Sequence, residues 1–417
     1  MTTTNAMATS TGMLIEHQCP QCGAPATFEE TDHLFTCTFC RVKSYLLSSV
    51  YQYLLPHSAP EGKDLIYFPY WRFKGMLFSC TQNGIKHKIV DVSHQGIPSI
   101  YFPVSLGLRS QTQKLRFVSP EAKGLFLKPT FPHKDVVEII EARFSERLPK
   151  PIYDQSFVGD TLSILYSPFY EDGKVFDAIL NRPLSPEPPE DFELASMDGG
   201  SPEWKVQFIP AQCPECGWDL EGERDSLALN CKNCETVWQS GKGQFMKLTF
   251  GHIPEEGGNL IYLPFWRIRG DISGIRLDSY ADLVKVANLP KVVQEEWKEQ
   301  GFRFWAPAFK IRPENFLTFS RNLTLSQPQE EVVKKLPEAP IYPVTLSVME
   351  AVESLRLTIA SFVKPQRTML PKIPDTTIKP KSFVLVYIPF HEKGNELTQP
   401  SFRLRLNKNL LTYAKHL

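Results

Sequence analysis

The chain has no excess of charge: Lys+Arg and Asp+Glu each number 46 in its 417 residues. A molecule without a net field is not drawn as a whole onto a polyanion. It has no apolar run near the roughly 18–20 residues that a membrane-spanning helix needs. The opening MTTTNAMATSTG lacks the basic start, apolar middle and small-residue cleavage site of a secretory signal. With little to bury, residues 1–13 are expected to be a disordered leader, and Met1 and Met13 are both available as starts. Enzyme signatures are also missing. There is no nucleophile with its base, no catalytic carboxylate pair and no phosphate-cradling loop, since GKGQ at Gly241 lacks the required spacing.

What the chain does have is a composition of 42% hydrophobic and 12% aromatic residues, that of a folded globular protein. Its length implies two or three domains. Its 35 prolines imply many loops and interrupted strands.

Eight of the nine cysteines fall into two identical frames. Cys19, Cys22, Cys37 and Cys40 lie in CPQCG…CTFC, and Cys213, Cys216, Cys231 and Cys234 in CPECG…CKNC. Each frame is Cys-x2-Cys, fourteen residues, then Cys-x2-Cys. A short knuckle sets two thiolates on one ion, and the intervening residues return the chain as a hairpin. The result is a closed tetrahedral site of the structural zinc type. A reducing cytoplasm is the expected location, and there such cysteines are metal ligands rather than disulfides. Two structural zinc ions are the expected cofactors. Four sulfur ligands leave no open position, so the ions contribute folding free energy and not chemistry.

Both frames resemble the zinc ribbon, above all in the first knuckle, where Gly23 and Gly217 let the backbone turn beneath the sulfurs. Rubredoxin-like iron takes the same ligands. Against it, the second knuckles continue as Arg41 and Glu235, where rubredoxin-like knuckles usually carry glycine. Cys80 lies outside both frames and reads as a small core residue.

The chain also repeats itself. LIYFPYWRFKG, from Leu65, returns as LIYLPFWRIRG, from Leu260. Over the nineteen residues from His57 and from His252, ten positions are identical. LSILYSPFYEDG near Tyr166 matches FVLVYIPFHEKG near Tyr387, and IYFPVSLG near Tyr101 finds a weaker echo in RFWAPAFK near Trp305. HKDVVEIIEARFSERL and TLSVMEAVESLRLTIASF each show the spacing of one amphipathic helix. The expected fold is therefore α+β: two tandem repeats, each a four-cysteine ribbon followed by a β-rich domain with one longer helix, packed with pseudo-two-fold symmetry. The expected boundaries are ribbon 14–47, domain 48–182, an exposed linker 183–205, ribbon 206–240 and domain 241–417.

Proline cannot donate to a ladder, so the shared phrase belongs at an edge, a bulge or a strand start. Alternation puts Tyr67, Pro69 and Trp71 on one face and Phe68, Tyr70 and Arg72 on the other. The two faces are expected to be covered unequally, with a helix or the ribbon on one of them. The phrases YFPYWRF and YLPFWRI, each behind a ribbon, resemble a group of poorly characterised bacterial cytoplasmic zinc-ribbon proteins with a Y-x-P-F-W strand. The resemblance implies architecture more than activity, and this chain differs in holding two copies.

Residues shared by the repeats are candidates for framework or interface: His57, Tyr67, Trp71, Arg72, His252, Tyr262, Trp266 and Arg267. The histidines, beside Glu61 and Glu256, are the best available general bases, yet they read more simply as structural. Arg72 and Arg267 are expected to pair with those glutamates. Tyr70, Trp71, Phe265 and Trp266 read as core, with an aromatic partner surface as the alternative. Both ribbons are acidic, carrying Glu16, Glu29, Glu30 and Asp32 in the first and Glu215, Asp219, Glu221, Glu223, Asp225 and Glu235 in the second. They would repel phosphate. From Lys364 to Leu417 ten basic residues face three acidic ones.

The leading expectation is a non-enzymatic interaction or scaffold protein with protein partners and no catalytic residues. The runner-up binds nucleic acid or an anionic membrane surface through the basic C-terminal region, Lys379, Lys381, Arg403 and Arg405 included. A third class is an enzyme with an unfamiliar site between the repeats.

Overall fold

The computed structural model describes residues 13–47, 50–107, 114–188 and 197–414. Strands predominate, and no helix among the described residues is long and apolar enough to cross a membrane. Of the expected leader only Met13 is described, and it is buried in the core of the first half.

The first shared phrase opens the strand Ile66–Thr81, all sixteen residues of which are buried. It lies between Gly84–Gln95 and Ile152–Glu171, antiparallel to both. A strand buried on both faces needs a core on each. Phe68 and Tyr70 pack with Phe28 and Phe35 of the first ribbon, while Tyr67, Trp71 and Phe73 pack with Val136 and Ile140 of the helix His133–Ser145. The expectation of unequal cover is thus corrected, because ribbon and helix take one face each. Farther along, Met76, Phe78 and Cys80 enter a core shared with the second half, where the Phe78 and Phe316 rings lie 6.1 Å apart.

The second phrase opens Leu260–Ser273, which pairs antiparallel with Thr377–Lys393 on one side and Phe304–Pro307 on the other. Phe250–His252 runs parallel to Thr377–Lys393, as Tyr51–Leu54 runs parallel to Ile152–Glu171. Around each phrase the same frame of hydrogen bonds recurs. Tyr67 faces Pro168 and Tyr262 faces Pro389. The Pro69 carbonyl accepts from the Gly96 N–H at 2.8 Å, and that of Pro264 from Ala308 at 3.0 Å. The Gly96 carbonyl accepts from Thr130 and Phe131, and the Ala308 carbonyl from Thr345 and Leu346. The indoles of Trp71 and Trp266 then donate to the Phe131 and Leu346 carbonyls, each at 2.9 Å. Proline removes a ladder donor, but its buried carbonyl still needs a partner, and this frame supplies it.

Three expectations are corrected. Gln95 and Pro307 stand opposite Tyr70 and Phe265, so Trp305 corresponds to the end of Gly84–Gln95 and not to Tyr101, whose phrase lies off the sheet. A three-residue pattern was too short to fix that match. The second amphipathic stretch is divided into Val348–Glu353 and Leu355–Phe362 at Ser354, whose hydroxyl donates to the Ala351 carbonyl at 2.7 Å. Among the described residues the one longer helix of the second half is instead Pro313–Ser326, with proline at its start. Finally, the expected exposed linker is only partly so: Gly199–Gly200 pairs with Leu125–Leu127, and Trp204 packs on Phe117. Residues 189–196 of it lie outside the described residues.

The ribbons are built into the sheets. Leu14–Gln18 pairs with Pro25–Glu29 and lies parallel to Leu115–Phe117 in the large first sheet. The hairpin of Leu34–Thr36 and Lys43–Leu47 receives Gln207–Pro210, the segment that leads into the second ribbon. That ribbon forms its own sheet of Ala228–Cys231, Thr236–Gly241 and Gln244–Leu248.

Candidate metal centres

The first knuckle closes the same way in both frames. Cys19 N–H donates to the Ala24 carbonyl at 2.8 Å and Gly23 N–H to that of Cys19 at 2.9 Å. In the second frame Cys213 donates to Trp218 at 2.7 Å and Gly217 to Cys213 at 2.8 Å. Gly23 and Gly217 sit at φ 72° and 71°, where a Cβ would conflict with the backbone. After the second knuckles Arg41 and Glu235 occupy the same left-handed region, at φ 61° and 50°, despite having side chains.

These turns converge the sulfurs. Within each group of four, the Sγ atoms all lie within 4.8 Å of one another. The closest pairs are Cys19–Cys40 at 3.8 Å, Cys22–Cys37 at 3.7 Å, Cys213–Cys234 at 3.6 Å and Cys216–Cys231 at 3.5 Å. A tetrahedron with metal–sulfur bonds of about 2.3 Å has edges of about 3.8 Å. Each group can therefore hold a metal ion. Backbone N–H groups of Cys40 and Phe39 bring the Cys37 thiol down to about 6, and the Asn233 side chain with the Trp218 N–H does the same for Cys216, also to about 6. Such donors favour the thiolate that a metal takes. Four sulfurs saturate a tetrahedral ion, so neither site offers a position for substrate.

The two centres are joined by packing. Leu34 and Tyr45 of the first ribbon share a core with Leu220, Leu229 and Trp238 of the second. The N–H groups of His33 and Leu34 donate to the Arg224 carbonyl at 2.7 and 2.8 Å, and the Tyr45 hydroxyl to that of Ser226 at 3.2 Å. The Arg224 guanidinium pairs with the buried Asp32 carboxylate.

The other candidates are placed as follows. Tyr67, Tyr70, Trp71, Tyr262, Phe265 and Trp266 are all buried, so the aromatic surface does not form. Arg72 does not meet Glu61, which is exposed. It pairs with the buried Glu30 and, at 2.8 Å, with Asp91, while Lys74 pairs with the other Glu30 oxygen. Arg267 lies over the Trp305 ring, 5.8 Å from its centre, and Glu256 is exposed. His57 is exposed in a loop, whereas His252 is in a strand opposite Tyr387, bound through Nδ1 to the Lys335 carbonyl at 2.8 Å. The two are not equivalent: the position matching His252 is Leu54, opposite Tyr166. Cys80 is buried opposite Asp154, and burial pushes its thiol up to about 12. In the basic C-terminal region, Lys381 pairs with Asp271 at 2.6 Å, Arg405 with Glu396 and Lys408 with Glu392.

Sequence reasoning missed the Glu30–Lys74–Asp91 network. The available signal was Arg72 and Lys74, two residues apart on one face of an otherwise apolar strand, which demand a buried acid. It also missed Pro-Glu-Ala at 120–122 and again at 337–339, just before segments that pair in parallel with Tyr67 and Tyr262. Compared with models of protein families, with curated proteins and with solved structures, the chain matches none.

Proposed function

We propose that this chain is a non-enzymatic zinc-binding interaction or scaffold protein of the reducing cytoplasm. It is a duplicated ribbon-plus-α+β module whose halves pack with approximate two-fold symmetry. The observation that carries this reading is the recurrence of the frame Pro69–Gly96–Phe131–Trp71 as Pro264–Ala308–Leu346–Trp266. What both halves keep is the backbone wiring of a fold. A reaction needs an acid, base or nucleophile held in a fixed set, and the histidines that match in sequence do not match in space. Zinc fits closed four-thiolate sites that stiffen ribbons, and residues of both ribbons share one core. The pairing of Lys381, Arg405 and Lys408 with acids gives little support to a polyanion-binding reading.

The test is affinity capture with the metal-loaded full chain, beside a Cys22→Ser/Cys216→Ser chain. A protein partner retained by the first and lost by the second supports the reading. Turnover of a small substrate that disappears on substitution of His57 or His252 overturns it.

A further inference from the structure

In the first half Arg72 is ion-paired with Glu30 and Asp91, and Lys74 with Glu30. The shared phrase carries the same two cations into the second half as Arg267 and Arg269. Neither acid recurs there. Lys74 stands opposite Asp91, whereas Arg267 stands opposite Trp305, so the place opposite Arg269 falls to Arg303. Glu30 lies eight residues past Cys22, and the residue eight past Cys216 is Arg224, which is bound instead to Asp32. Both acids of the first network thus have arginines at the corresponding positions of the second.

Among the described residues no carboxylate lies within ion-pair distance of Arg267, Arg269 or Arg303. The acid farther along the strand, Asp271, is held by Lys381 at 2.6 Å. Burial and the Arg303 charge lower the Arg267 guanidinium, and burial and the Arg269 charge lower that of Arg303. Strand alternation puts all three on one face, and like charges directly opposite destabilise a sheet. Two of the three groups are also held in place. Arg267 lies over the Trp305 ring, and Arg303 Nη1 donates to the Phe302 carbonyl at 3.0 Å. Gly301 leaves the room for it, since a Cβ there would lie 3.0 Å from that nitrogen. The backbone edge beside them is closed. The Trp305 N–H donates to the Thr324 hydroxyl at 3.0 Å, and the Arg303 N–H to the Gln327 side chain at 3.0 Å. Recognition at this place therefore runs through side chains and not through an added strand.

We infer that Arg267, Arg269 and Arg303 form a binding site for a phosphomonoester. Such a group carries close to two negative charges at neutral pH and three strong acceptor oxygens, which guanidinium forks take bidentately. A phosphodiester brings a single charge and leaves more of the repulsion in place. The bound phosphate supplies the negative charge that the first half draws from its own chain, and it stabilises the second half by mass action. The site stands whether the phosphate is carried by a small molecule or by a protein partner.

The experiment is calorimetric titration and thermal unfolding of the metal-loaded full chain with free phosphoserine and with a short peptide bearing phosphoserine. The unphosphorylated peptide, dimethyl phosphate and a single-stranded oligonucleotide serve as counterparts. The phosphomonoesters are expected to bind and to raise the unfolding midpoint, and the counterparts are not. A peptide bound about tenfold or more tightly than the free amino acid assigns the phosphate to a protein partner, and equal affinity assigns it to a small molecule. Arg303→Asp, which puts an acid where the first half has Asp91, should abolish binding and raise the midpoint of the unliganded chain, a gain that misfolding cannot imitate. Arg269→Gln should weaken binding by about tenfold and give a smaller gain. Metal content of each variant verifies that it is folded. Failure of both phosphomonoesters to bind overturns the proposal, as does binding that is unchanged in Arg303→Asp. Binding of dimethyl phosphate or the oligonucleotide as tight as that of the monoesters overturns it too.

Discussion

Pro69 stands directly opposite Tyr166 in the central antiparallel pair of the first half, and Pro264 stands in the same relation to Tyr387 in the second. In each case the proline carbonyl is taken by a neighbouring segment, and the tryptophan two residues on locks the segment behind it. Trp71→Phe and Trp266→Phe would leave the Phe131 and Leu346 carbonyls without that donor. Each should cost about 1–3 kcal/mol, read as a lower denaturation midpoint. The more deeply buried Trp266 should suffer more. An effect in one half alone would count against an equivalent role.

Metal analysis of the purified chain should give about two zinc ions, and chelation should unfold both ribbons. Because Leu34 and Tyr45 pack against Leu229 and Trp238, the centres should not be independent. Cys216→Ser is expected to release the second ion and to speed loss of the first to a chelator. Unchanged kinetics at the first site would show that the shared core does not couple them.

Acid should weaken the first half through Glu30. Burial alone would raise this carboxyl, but the charges of Arg72 and Lys74 outweigh it and bring it down to about 2 from 4.5. A depressed carboxyl contributes stability that is present above pH 4.5 and lost as pH falls toward 2, about 3 kcal/mol by linkage. Glu30→Gln should remove this dependence. At neutral pH it should cost about 3–5 kcal/mol, since it leaves Lys74 buried without its counter-charge. Denaturant midpoints across pH 2–7 read both effects.

The left-handed positions after the second knuckles offer a gain. Glycine at Arg41 or Glu235 relieves a Cβ conflict of about 1–2 kcal/mol, against about 0.4–1 kcal/mol of added unfolded-state freedom. Arg41→Gly and Glu235→Gly should therefore stabilise the metal-loaded chain by up to about 1 kcal/mol. A fall in the unfolding midpoint would mean that these side chains have a role in the ribbon surface.

Some of this was legible in the sequence because it is local. Two cysteines separated by two residues can reach one ion only through a tight knuckle, so their spacing carries the geometry with it. Alternation along Ile66–Thr81 has a period of two, so it divides Phe68 and Tyr70 from Tyr67 and Trp71 without further information. The break at Ser354 was not legible, since apolar spacing continues across it. Nor was the difference between His57 and His252, because identical distances to a shared phrase conceal strands that end at different points.

By itself the sequence determined the two sulfur tetrads, the strand faces and the recurrence of one phrase. Only the tertiary structure decided that Arg72 turns to Glu30 rather than Glu61, that one ribbon packs on the other, and that Tyr51, His33, Asp225 and Lys310 surround one cavity. The reason is physical. Knuckles and strand faces follow from bond lengths and backbone periods along the chain. The partner of a buried charge is the group that folding brings closest in a medium of low dielectric, and linear spacing does not encode that choice.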